Sequence, residues 1–256
     1  MSTVRLANLR WTDWVFVVLM LALAATCVFL GTWQMERLGE KEALIAAVDA
    51  RLNAAPIPVP AADTWPDLDV DALNFQPVSL SGHFAYDQTS TVFTSLADPK
   101  GRYGGPGYWV MTPFVLDAGG TVFVNRGFVP EQNQEEVILG GLHDASEGQV
   151  IVSGLLRPGE PTGFMTPETN MSDRVAWVRD PTLLATMIDP ALVPVAPFYV
   201  DLPAGAPDAL PQGGETVISF PNNHLGYAYT WYGFAIVAIV MLGFWLWRQA
   251  QRQPKR

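Results

Sequence analysis

Two stretches of the chain carry no charged residue, 14–35 and 225–247, and each is a nearly continuous apolar run (WVFVVLMLALAATCVFLGTWQM and LGYAYTWYGFAIVAIVMLGFWLW). A helix rising ~1.5 Å per residue needs about 20 apolar residues to cross a hydrocarbon layer of ~30 Å. A soluble helix of that length keeps a polar stripe, and neither run has one. Trp11, Trp14 and Trp33 flank the first run; Trp231, Tyr232, Trp245 and Trp247 lie toward the ends of the second. That placement matches interfacial aromatic belts. The pattern predicts two transmembrane helices. Past the first, Leu38, Leu44, Ile45, Val48 and Leu52 fall near helical spacing, so 36–52 reads as an amphipathic helix continuing away from the membrane.

Between the helices the period changes. Residues 55–66 are rich in proline and alanine and read as a linker. Short alternating runs then predict strands at 78–83, 90–95, 108–116, 121–125, 149–156, 176–179, 198–202 and 216–220. Asp117, Ala118, Gly119 and Gly120 separate two apolar runs and predict a hairpin, whereas 98–107 holds too much glycine and proline for regular structure. A short helix is expected over 181–188, with Pro181 in its first turn after Asp180. The expected fold is a membrane protein with two transmembrane α-helices flanking an α+β, mostly antiparallel β, extracytoplasmic domain. Its divisions are a tail at 1–13, helices at 14–35 and 223–247, the domain at 36–222 and a basic tail at 248–256.

Charge sets the expected orientation. Arg5 and Arg10 precede the first helix; Arg248, Arg252, Lys255 and Arg256 follow the second. The segment between has nine basic residues against 24 acidic ones, a net −15. By the positive-inside rule both termini are cytoplasmic and the domain faces outward. The first run is too long for a signal-peptide core, and two arginines ahead of it do not make a mitochondrial presequence, so a bacterial inner membrane is expected. The acidic balance excludes nucleic acid as a partner and leaves membrane lipids around the helices. Cys27, inside the first helix, is the only cysteine. The domain therefore has no disulfide, covalent haem motif, thiolate copper relay or zinc cluster.

Of the three histidines, His83 and His143 read as solvated or structural. His224 stands at the outer end of the second helix, where an imidazole can ligate iron or another metal, or anchor a hydrogen bond. On a helix it shares a face with Tyr227, Ala228, Trp231 and Ala235. One nitrogen donor, aromatic planes and small residues would suit a flat macrocycle. The plainer alternative is that Asn223 and His224 cap the helix while the aromatics sit among headgroups.

Three motifs carry a family resemblance. Leu30-Gly31-Thr32-Trp33-Gln34 with Arg37 closes the first helix; Val124-Asn125-Arg126-Gly127-Phe128-Val129-Pro130 lies in mid-domain. Asn222-Asn223-His224-Leu225, then Tyr227-Ala228 and Thr230-Trp231-Tyr232-Gly233, open the second helix. Weaker echoes are Gly82-His83-Phe84, Ser153-Gly154-Leu155-Leu156-Arg157, and Trp177 ahead of Arg179-Asp180. In this order, between two membrane helices, they resemble the surfeit locus protein 1 family over nearly the whole chain. Gly226 departs from the glutamine usual there, removing an amide.

The resemblance implies an assembly factor for haem-copper cytochrome c oxidase that binds haem a and aids its insertion into the catalytic subunit. Cytochrome c oxidase subunit I is then the implied partner, with haem a synthase a further candidate. His224 would be the haem ligand, with Tyr227 and Trp231 beside it and Trp33, Gln34 and Arg37 lining the same site. Arg126 would pair a propionate or support the fold; Gly127 and Pro130 read as turn residues. The alternative is a scaffold that stabilises an oxidase subunit intermediate without carrying cofactor. No hydrolase or metalloprotease signature stands out, and scattered methionines do not make a copper site, so an enzyme is not expected.

Overall fold

The computed structural model describes residues 10–142, 148–218 and 220–252, so His143 lies outside the described residues. The chain divides into two compact units, one formed by its two ends and one by Val48–Ile218.

In the first unit, helix α1 (Trp11–Leu52) runs unbroken from the apolar run through the amphipathic segment, and helix α4 (His224–Arg252) packs antiparallel to its first part. Both are long and apolar enough to cross a membrane. Their seam is narrow. Ala24, Cys27, Gly31 and Gln34 of α1 are buried, as are Ala228, Ala235, Ala238 and Leu242 of α4. Steps of three and four average 3.5 residues, the period of a left-handed two-helix seam. Small residues let the backbones approach, which in lipid replaces the hydrophobic effect as the cause of association. A Cβ on Gly31 would come within 2.7 Å of the Tyr232 ring. Gly31 is therefore used within the chain. The remaining faces, including Leu19, Phe29, Ile236, Val240 and Phe244, are exposed and apolar. Leu44 is exposed too, while Leu38, Lys41 and Ile45 beside it are half-buried.

The second unit has eight strands: β1 (Ile57–Pro58), β2 (Pro77–Phe84), β3 (Ser90–Leu96), β4 (Gly105–Leu116), β5 (Thr121–Pro130), β6 (Val150–Pro158), β7 (Val175–Ala176) and β8 (Val195–Asp201). Five pairings are antiparallel, and β1–β2, β3–β7 and β5–β8 are parallel. The ladder β2–β6–β8–β5–β4 returns to β2, closing a five-stranded barrel with no open edge of its own. Long β4 makes closure possible: its first half pairs with β3 and its last residues with β2.

Alternate residues of the ring, among them Val78, Leu80, Phe114, Val122, Val124 and Phe198, fill the barrel. Trp65 joins that core, its ring edge-on to Phe198 at 6.1 Å and its Nε1 donating to the Pro60 carbonyl at 2.9 Å. The opposite residues of the same strands, Trp109, Met111, Phe123 and Tyr199, form a second core. It is covered by β7 and by the short helix α3 (Pro181–Leu184), whose first turn is capped by the Asp180 carboxylate accepting from the Thr182 amide at 2.9 Å. The short helix α2 (Gln134–Ile138) had no counterpart in the sequence pattern.

Several expectations are corrected. The proline-rich linker contains β1, which pairs parallel with β2. Strand β4 starts at Gly105, inside the segment read as irregular. Gly107 allows this, since a Cβ there would strike the Phe128 ring and the Val129 carbonyl. The strand expected at 176–179 ends at Ala176, because the Arg179 amide bonds the Glu160 carboxylate instead of a neighbouring strand. Among the described residues of 216–220 there is no strand. The Thr216 carbonyl is taken by Lys100 Nζ at 2.7 Å and its hydroxyl by Asp201 at 2.8 Å. Gly127 and Pro130 lie within β5, with Gly127 at a bulge opposite Val110 where φ is 133°. A Cβ at Gly127 would fall on the Gln212 carbonyl.

Candidate functional site

Two sites emerge, one in each unit. In the helical unit the seam ends, at the first residue of α4, on a polar pair. Gln34 is 9% exposed, and its Oε1 lies 2.7 Å from Nδ1 of half-buried His224. With an amide oxygen facing the ring, Nδ1 is the donor, so in the neutral ring the lone pair lies on Nε2. Such a bond orients a ligating imidazole. Further along the two helices, the Thr32 and Tyr232 hydroxyls stand 3.4 Å apart. The amide of His224 bonds Asn222 Oδ1 at 3.4 Å, so Asn222 caps the helix and the imidazole is free of that task.

The other residues expected here divide. Trp33 and Arg37 stay on the surface of α1, the guanidinium 5.7 Å from the Trp33 ring and 2.7 Å from Glu40. Tyr227 projects off the seam and is exposed, while half-buried Trp231 sits edge-on to Phe234 at 6.1 Å. Ala228 and Ala235, read as leaving space for a macrocycle, are buried in the helix seam. Gly226 faces open space.

Arg126 belongs to the barrel unit. Its guanidinium lies 5.0 Å from the Tyr86 ring and donates to the Leu142 carbonyl, beside a cavity of about 430 Å³.

The second site was not foreseen as one. Asp201, the last residue of β8, is 2% exposed. Its carboxylate accepts from Asn125 Nδ2 at 2.8 Å and Thr216 Oγ1 at 2.8 Å, and lies 3.4 Å from Arg157 and 3.9 Å from Arg179. Arg179 is also held by Glu160, with Nε 3.0 Å from Oε1. Its guanidinium stands over Trp109 and Tyr199, at 5.1 and 5.3 Å; that of Arg157 stands over Phe75 at 4.4 Å. Two cations and two anions cancel, as a buried group of charges must. Burial alone would raise the Glu160 carboxyl, but hydrogen bonds and charge from Arg179 outweigh it and hold it below the ordinary range. Burial pushes the Tyr199 phenol well above its usual value, and its hydroxyl has no hydrogen-bond partner among the described residues.

Scattered echoes in the sequence thus converge in space. Asn125, not Arg126, is the member of the mid-domain motif that enters the network, and its Oδ1 also accepts from the Gly127 amide at 3.1 Å. The available signal was parity. Asp201 is in phase with Tyr199 on β8 and Asn125 with Phe123 on β5, polar residues on an otherwise apolar face.

Comparison with known proteins agrees with this architecture. A family model described as the SURF1 family matches residues 21–236. Surfeit locus protein 1 of Rattus norvegicus is 32% identical over 253 residues, covering 92% of this chain and 76% of the relative. Surfeit locus protein 1 of Homo sapiens is 34% identical over 232 residues, covering 84% and 72%. A SURF1-like protein of Monosiga brevicollis is 31% identical, covering 84% and 81%. The fold class is a membrane protein whose two terminal helices enclose, in sequence, a mostly antiparallel β domain. The chain belongs to the SURF1 family.

Proposed function

We propose that this protein is an assembly factor for haem-copper cytochrome c oxidase that holds haem a through His224 and aids its insertion into subunit I. The observation that carries the reading is the 2.7 Å contact between His224 Nδ1 and Gln34 Oε1. In the neutral ring that contact keeps the proton on Nδ1 and the lone pair on Nε2, and it orients the ring, as an iron-ligating imidazole requires. Haem a would supply an iron that a neutral imidazole nitrogen can ligate. The chain would supply the oriented nitrogen, the aromatic surfaces of Tyr227, Trp231 and Trp33, and a cation for a propionate. Arg37 suits that last role better than Arg126. Its bond to Glu40 is an exposed i,i+3 pair, weak enough to exchange for another carboxylate.

The same reading sets both termini in the cytoplasm of a bacterial inner membrane and the β domain outside, on the charge asymmetry of the tails. Haem a synthase is the natural donor in such a scheme. A second reading, a scaffold without cofactor, is favoured by the burial of Ala228 and Ala235, which fills much of the face once open to a flat ring.

The test is an absorption spectrum of detergent-purified protein co-expressed with haem a biosynthesis, beside His224→Ala and Gln34→Leu. Haem a bands are expected in the parent, absent in His224→Ala, and weakened about 10–100-fold in apparent affinity in Gln34→Leu. A colourless parent in cells rich in haem a sinks the reading and favours the scaffold. Bands that survive in His224→Ala remove His224 as the ligand.

A further inference from the structure

The loop at 159–174, between β6 and β7, is anchored at both roots and bare at its tip. At one root the Glu160 amide donates to the Arg179 carbonyl at 3.1 Å, and the Glu160 carboxylate takes the Arg179 amide at 2.9 Å. At the other, Asn170 and Val175 exchange both backbone bonds, and Asn170 Oδ1 collects the Ser172 and Asp173 amides. Between them Thr166 closes a tight turn, its amide donating to the Gly163 carbonyl at 3.0 Å and its hydroxyl accepting from the Gly163 amide at 2.8 Å. Pro161 and Pro167 restrict the chain on either side. The turn presents Phe164, 98% exposed, and Met165, 77% exposed. A Phe-Met pair held in water on a stiffened turn forgoes the gain that each side chain makes on burial. No flexible tail explains it.

Charge indicates what would cover this tip. From Pro158 to Asp173 there is no lysine or arginine, and there are three acids, Glu160, Glu168 and Asp173. Elsewhere in the unit Arg51 donates to the Asn74 carbonyl and Lys100 to the Gly214 and Thr216 carbonyls, while Arg102 and Asp208 form an exposed pair at 3.7 Å. Arg126 and Arg174 donate to the Leu142 and Asp87 backbone carbonyls, and Arg157 and Arg179 pair with the Asp201 and Glu160 carboxylates. Over residues 48–218 acids outnumber lysines and arginines 21 to 7, so the field outside is negative. It repels an anionic bilayer and a second copy of the same acidic surface, and it attracts a basic one.

We propose that the 159–174 loop is a docking knob. Phe164 and Met165 insert into an apolar socket on a partner protein, and lysine or arginine side chains on its rim face Glu168 and Asp173. Met165 adapts to the socket as thioethers do, and the turn fixes Phe164 in advance, so little ordering is left to binding. This goes beyond the haem reading and does not depend on His224.

The test places a photoactivatable benzoylphenylalanine at position 164 of the full chain in its own membranes and maps the residue it labels. The expected label falls on a single protein site, in an apolar depression with basic side chains around it. Its yield should drop at least tenfold in Glu168→Lys/Asp173→Lys and several-fold between about 50 and 500 mM salt. A competing unlabelled chain should suppress it, and a Phe164→Ser/Met165→Ser competitor, melting at the parent temperature, should not. Labels on lipid, on a second copy of this chain or on scattered sites overturn the proposal, as does a yield indifferent to charge reversal.

Discussion

Replacing Asp201 by asparagine keeps its shape and removes its charge, and the buried network predicts a severe outcome. One carboxylate oxygen faces Asn125 and Arg179, the other Thr216 and Arg157. An amide can satisfy only one of these pairs; its NH₂ group would point at donors on the other side. Arg157 would also lose its counter-ion while three-quarters or more of its side chain stays buried. An unpaired buried charge with a lost acceptor costs about 3–5 kcal/mol. For a unit the size of Val48–Ile218, that lowers Tm by roughly 6–20 °C, at 2–4 °C per kcal/mol. Full-length protein in detergent would be melted and followed by the fluorescence of Trp65, Trp109 and Trp177, all within this unit. The partner experiment is Asp201→Leu/Arg157→Met. Because breaking a buried pair costs more than replacing it by apolar groups, the double variant should melt above Asp201→Asn. A shift under about 2 °C for Asp201→Asn, or a double variant worse than the single, would refute the claim that this network holds the strands together.

Tyr199 gives a pH prediction. The unfolded chain releases the phenolic proton near pH 10 and the folded one keeps it higher, so above pH 10 the unfolded state binds fewer protons and stability falls, by up to about 1.4 kcal/mol per pH unit. Melts from pH 9 to 11 should show that loss in the parent and a shallower slope in Tyr199→Phe, which also removes an unbonded hydroxyl and should be no less stable below pH 9. Gly127→Ala should destabilise by about 3 kcal/mol in denaturant titration, since φ is 133° and the new Cβ meets the Gln212 backbone. Gly226→Gln, on an exposed helical position with open space, should raise helix stability by about 0.5–1 kcal/mol in thermal scans and leave the His224–Gln34 contact intact.

Much of this was legible in one dimension because the forces involved act along one dimension. A charge-free run of membrane length declares a helix before any packing is known. Alternation located most of β2 to β6 and β8, since a strand with a buried face must repeat every second residue. Elements whose bonds go to side chains could not be found that way. Thr216 looks like strand until Lys100 and Asp201 claim its polar groups, and Arg179 until Glu160 takes its amide.

What the sequence determined by itself was the class of molecule: two membrane helices, an acidic β domain between them, a lone cysteine inside a helix, and motifs in an order that resembles one family. Tertiary structure decided which motif residues work together. Gln34 and His224 are 190 positions apart and meet only because a 3.5-residue seam brings their helices into register. Asn125, Arg157, Arg179 and Asp201 become one buried site only when the segments carrying Glu160, β7, α3 and Thr216 fold over the outer face of β5 and β8. Local pattern reports which face of an element is apolar. Burial of a charge depends on what covers that face, and distant parts of the chain supply the cover.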